Sequence, residues 1–152
     1  MSFETTIAKI VSVIGAVGGV SNVYETPLTG TRREGLEAQR GVAPATDLQS
    51  WEVVATPVEA HEGASGYQRT RAKVRIRAWW VHRDQDPDSC AAFRSKIREV
   101  QSALMDPDGG IPQIAAPGIS SLVEPDMPRR LPTGQSGWYA ELGFETLDCE
   151  QT

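Results

Sequence analysis

Tyr67–Val81 reads YQRTRAKVRIRAWWV, and its alternation decides the fold class. Ala72, Val74, Ile76, Ala78 and Trp80 fall at every second position, with Arg69, Arg71, Lys73, Arg75 and Arg77 between them. Successive side chains of an extended strand point to opposite faces, so this segment makes a strand with one apolar and one basic face. A helix, with its period of 3.6, would scatter the same residues around its axis. Trp79 and Val81 continue the basic face with large apolar side chains.

Upstream, Trp51–Val58 alternates in the same way, with Trp51, Val53 and Ala55 set against Glu52, Val54 and Thr56. The segment 60–66 between the two runs has turn composition, so the pair reads as a β-hairpin. Downstream, Asp86-Pro87 has the form of an N-cap followed by proline at the first helical position. Phe93, Ile97, Val100 and Leu104 then space one buried helix face, and the run Asp106–Gly110 stops that helix. Residues 107–118 read as loop, Ile119–Glu124 as a short strand and 125–137 as turns. Trp138–Leu147 reads as a strand with Trp138, Ala140, Leu142 and Phe144 on one face.

At the other end, residues 3–17 read as an amphipathic helix whose buried face is Ile7, Ile10, Val11 and Ile14. Gly15, Gly18 and Gly19 end it, and Val20–Tyr24 is a short strand. The expected order is thus α-β-β-β-α-β-β. It implies a single α+β domain over 1–152, with two helices on one face of a mainly antiparallel sheet of four to five strands. Residues 25–50 form a polar stretch without periodicity. Loops longer than about 12–15 residues are uncommon in compact domains and are often functional, so Arg32, Arg33 and Arg40 become candidate contact residues.

The chain of 152 residues has a net charge of −5, but the charge is unevenly placed. Residues 67–83 hold six basic side chains and no acidic one, and the remaining 135 hold nine basic and twenty acidic, a balance of −11. An overall basic surface for nucleic acid is therefore excluded, while one basic strand stands out. Cys90 and Cys149 lie 59 positions apart, outside any CxxC or Cys/His cluster, so neither a disulfide framework nor a zinc site is expected. Glu4 and Lys9 do not suit a signal peptide, and the apolar run Ile7–Val20 is too short to span a bilayer; a soluble chain made in a cytoplasm is expected.

Enzyme signatures are missing from the sequence: there is no GxSxG elbow, HExxH helix or phosphate-binding glycine loop. His61 falls in the turn segment and His82 at the end of the basic strand, without partners at catalytic spacing. Asp84, Asp86 and Asp88 are spaced like the start of a calcium loop. Ser89 and Ser95, however, occupy the positions that need its glycine and its glutamate. No catalytic residue, metal or cofactor is expected.

The basic strand carries two readings. In one, its cations are a solvated sheet face neutralised by acids of neighbouring strands, such as Glu52, Glu141 or Glu145. In the other, Arg69, Arg71, Lys73, Arg75, Arg77 and Trp79 meet an acidic protein surface or a phosphate backbone. Arginine outnumbers lysine four to one among the five cations, which suits bidentate pairing with carboxylate or phosphate. No RNP-type aromatic motif interleaves with them, which argues against sequence-specific RNA reading.

In its organisation the chain resembles the tail terminator (tail completion) proteins of long-tailed bacteriophages. An opening helix (Thr5–Ile14) leads into Val23-Tyr24, a polar loop and a strand pair whose second member holds Val74-Arg75-Ile76-Arg77-Ala78-Trp79-Trp80. The helix Phe93…Leu104 and the closing strand Trp138…Phe144 follow. The resemblance implies a homohexameric ring in the tail or neck of a virion, assembled in the host cytoplasm. Such a ring caps the head-proximal end of the tail tube and stops its polymerisation. It also joins the tail to the head–tail connector, with DNA crossing its lumen. It implies no catalytic residues and no membrane. Two alternatives are another neck or head-completion protein and a nucleic-acid-binding module that uses the strand 69–77.

Overall fold

The computed structural model describes residues 3–20, 22–25, 49–63, 67–81, 88–106, 108, 111, 121–123, 125, 129–130 and 136–151; at 3, 57–63, 67–70, 81, 121–123, 129, 136 and 147–151 it describes the backbone alone. In chain order the elements are α1 (Phe3–Gly15), β1 (Val23–Tyr24), β2 (Gln49–Gly63), β3 (Tyr67–Val81), α2 (Ser89–Met105), β4 (Ser121–Val123), β5 (Arg129–Arg130) and β6 (Ser136–Gln151). The architecture is α+β, with both helices on one face of a sheet ordered β1-β2-β3-β6-β4, and β5 also paired to β6.

Alternation along β3 sets the layers. Its partner positions are Trp51 and Ala140 beside Ala78, Val53 and Leu142 beside Ile76, and Ala55 and Phe144 beside Val74. All of these lie on the helix side. There they join Ile10 and Ile14 of α1 and Phe93, Ile97, Val100 and Leu104 of α2 in one core cluster. Trp51 and Trp80 meet the Phe93 ring edge-on at centroid distances of 6.0 and 5.3 Å, a favourable arrangement for the ring quadrupoles. Trp138 Nε1 donates to Ser89 Oγ at 2.9 Å, which fixes the start of α2 against β6.

The helix faces predicted at 3–17 and 93–104 are present, although α1 stops at Gly15. The cap of α2 differs from the expectation. The helix begins at Ser89 after Asp88, whose side chain makes no capping bond, while Asp86 and Pro87 lie outside the described residues.

The sheet itself departs from expectation in three ways. It is mixed, because β1 runs parallel to β2, pairing Val23 with Trp51 and Tyr24 with Glu52. The chain reaches this geometry through Gly19 (φ 83°) and Asn22 (φ 58°), both in the left-handed region, and Asn22 O accepts from Trp51 N at 3.0 Å. Second, β2 and β6 outrun the predicted strands. Residues 60–63, read as turn, continue the ladder to Gly63↔Tyr67, and β6 pairs with β3 as far as Gln151. Third, Arg129–Arg130, read as turn, pairs with Ser136 and Gly137 of β6. Cross-strand hydrogen bonding thus overrode local turn composition, as β-propensity often yields to context.

Candidate functional site: the outer face of the sheet

Residues of the opposite parity form the outer face. Reading across the strands, one row is Tyr24, Glu52, Arg77 and Glu141, and the next toward the strand tips is Val54, Arg75 and Gly143. Thr56, Lys73 and Glu145 follow. The cations named from the sequence therefore do share one face, and the acids named as possible neutralisers flank them on β2 and β6.

Three of the cations hold carboxylates. Arg77 donates to Glu52 Oε2 at 2.9 Å directly across the ladder. Arg75 and Arg71 reach diagonally instead, Arg75 Nε to Glu141 Oε1 at 3.2 Å and Arg71 to Glu145 Oε2 at 2.6 Å. Lys73 is exposed, with no ionic partner among the described residues. The Arg71 and Arg75 side chains are 44% and 54% exposed, so their pairs sit in a high-dielectric setting and contribute little to stability. Glu52 is fully buried and Arg77 only 23% exposed, which makes that pair a different object. A carboxylate removed from water needs its guanidinium partner.

The face ends in an aromatic patch. Trp79, 7% exposed, lies 5.6 Å from the Tyr139 ring, and the Arg77 guanidinium carbon sits 5.3 Å from the Trp79 ring centroid. Tyr139 Oη donates to Glu141 Oε2 at 2.5 Å. Burial above all, then the hydrogen bond and charge of Glu141, holds the Tyr139 phenol well above its ordinary value, while Arg77 and Arg75 pull it down. Toward the strand tips the face opens into a concavity of about 310 Å³ lined by Val54, Thr56, Lys73 and Arg75.

Of the other predicted site residues, Arg69 occupies the next position of this parity, opposite His61 and Cys149 in register. Arg32, Arg33 and Arg40 lie outside the described residues, as does nearly all of the stretch 25–50. The sequence reading did not single out Tyr139 or the concavity. The i, i+2 spacing of Tyr139 and Glu141 is the local signal for their bond; the concavity has no local signal, since it needs two strands in register. Among the described residues no group of three or more His, Cys, Asp or Glu is placed to hold a metal ion, and no helix is long and apolar enough to cross a membrane. Compared with known protein families and with curated proteins, the chain matches none.

Proposed function

We propose that this chain is a structural virion protein of the tail-terminator type. In this reading six copies form a ring on the head-proximal end of a phage tail tube. The ring stops polymerisation by covering the growing end and offers its other side to the head–tail connector. DNA passes through the lumen without sequence-specific contact. The observation that carries the reading is the division of the sheet. Both helices occupy one face, leaving the other an ordered array of Arg71, Lys73 and Arg75 ending at Trp79 and Tyr139. Arg and Tyr are among the side chains enriched where proteins meet proteins, and Trp79, itself only 7% exposed, packs beside Tyr139. Carboxylates already occupying Arg71, Arg75 and Arg77 make the face a poorer phosphate binder than its arginine count suggests.

The test adds purified chain to growing tail tubes and follows tube length by electron microscopy. Capped tubes of arrested length, each ending in a ring, are expected. Tubes that keep growing overturn the reading, and if the chain binds connector rings instead, it is another neck protein. Retention on DNA at physiological salt with a steep salt slope would favour the nucleic-acid module.

A further inference from the structure

In the outer-face row of Thr56, Lys73 and Glu145, one charge is left over. Lys73 stands between Thr56 and Glu145 in register. Glu145, however, gives its Oε2 to Arg71, which donates through both Nε at 3.1 Å and Nη2 at 2.6 Å. Lys73 therefore keeps an exposed ammonium with no ionic partner among the described residues. One row along, Arg75 contacts Glu141 through Nε at 3.2 Å. A guanidinium carries several N–H donors in a fork, so that contact leaves Arg75, 54% exposed, with donors to offer.

Over Arg69–Arg77 and its register partners the outer parity holds five cations and four carboxylates, Glu52, Glu59, Glu141 and Glu145, so one positive charge is in excess. The concavity of about 310 Å³ lies at the unanswered cation, lined by Lys73, Arg75, Thr56 and Val54. Ligand pockets start at roughly 300 Å³, so it has room for a small molecule. Three of the four lining side chains carry N–H or O–H donors, and half-buried Val54 supplies an apolar wall. None of the four is acidic. Glu141 and Glu145 stand on the neighbouring strand, each engaged with an arginine.

We propose that this concavity binds a small monocarboxylate with a short apolar stem. The carboxylate lies between the Lys73 ammonium and the Arg75 guanidinium, with the Thr56 hydroxyl as a further donor, and the stem lies against Val54. Hydrogen bonds from ammonium and guanidinium to a carboxylate are charge-assisted and roughly twice as strong as neutral ones. A single negative charge balances the single excess cation. A phosphate dianion brings a second charge with no cation to answer it, next to a strand that carries Glu141 and Glu145. A nucleic-acid backbone fits least, because successive phosphates along the strands meet arginines that carboxylates already hold. The site belongs to the isolated chain and does not depend on the capping reading.

Titration with sodium butyrate at constant ionic strength, followed by amide NMR, tests the site. Saturable shifts are expected at Val54, Thr56, Lys73 and Arg75. Butylamine, with the same stem and the opposite charge, should produce none. Lys73→Gln removes an exposed charge without touching the core, and it should weaken butyrate binding by at least about tenfold. From acetate to butyrate, affinity should rise about two- to fourfold per methylene as the stem covers Val54. Circular dichroism and melting confirm that the variant is folded. Shifts that do not saturate overturn the proposal, as does a Lys73→Gln variant that binds butyrate like wild type. So does inorganic phosphate binding more tightly than butyrate, butylamine binding at the same residues, or an affinity indifferent to stem length. The capping reading stands or falls separately, on tube length.

Discussion

The two faces of β3 are closed to different degrees. On the helix side Ala72, Val74, Ile76 and Ala78 are each at most 2% exposed. On the outer side exposure grades from 7% at Trp79, through 23% at Arg77, to 54% at Arg75 and 44% at Arg71. Apolar contact excludes water or leaves a cavity, so the helix side is closed from Ala72 to Ala78 and opens only partly at Trp80. A charged face has no such requirement and can be shut at one end and open at the other. The comparison teaches that one strand can anchor a core and present a surface, with the Glu52–Arg77 pair at the boundary.

Substitutions on the two faces should therefore differ in kind. The largest effect belongs to Phe93→Ala, which empties the ring that Trp51 and Trp80 both meet. It should cost about 3–5 kcal/mol in chemical denaturation; a loss below about 1 kcal/mol would mean that the helix side is not tightly packed. Next comes Arg77→Met, which takes the guanidinium from the buried Glu52 carboxylate and should cost about 2–4 kcal/mol. Were it no more harmful than Arg75→Ala, the grading of the outer face would have no energetic meaning.

Tyr139→Phe removes the bond to Glu141 and should cost about 1 kcal/mol near neutral pH. Its sharper signature is at alkaline pH. The folded phenol is held above its ordinary value of 10.0. The stability linked to it is therefore complete below about pH 10 and lost as pH rises toward the folded value. Wild type should destabilise through that range, and the Phe variant should do so less steeply. Ultraviolet titration should find one of the three tyrosines ionising late. Smallest is Arg75→Ala, whose side chain is 54% exposed, at under about 1 kcal/mol.

Much of this architecture is legible locally. The two helix faces and the β3 alternation depend on spacing within a dozen residues, and Phe93, Ile97, Val100 and Leu104 are buried as their period requires. Glu52, Glu141 and Glu145 could be named as neutralisers because each sits in a strand of the right parity. Which acid meets which cation could not. Arg77 pairs straight across to Glu52, while Arg71 reaches past its own register partner, Leu147, to Glu145. The full burial of Glu52 was equally hidden, since a single glutamate in an alternating run looks like an exposed one.

By itself, then, the sequence determined the two helices, the alternating stretches at 51–57, 67–81 and 138–147 with the parity of each, and the concentration of positive charge on one of them. These follow from side-chain periodicity, which is a property of a short segment. Only the tertiary structure decided that β1 runs parallel to β2, that residues 60–63 and 129–130 join the sheet, and which ion pairs form. Each of these depends on the register between segments, with β6 pairing to β3 some 70 residues away. Register is fixed by the hydrogen-bond ladder and by the core that all the strands share.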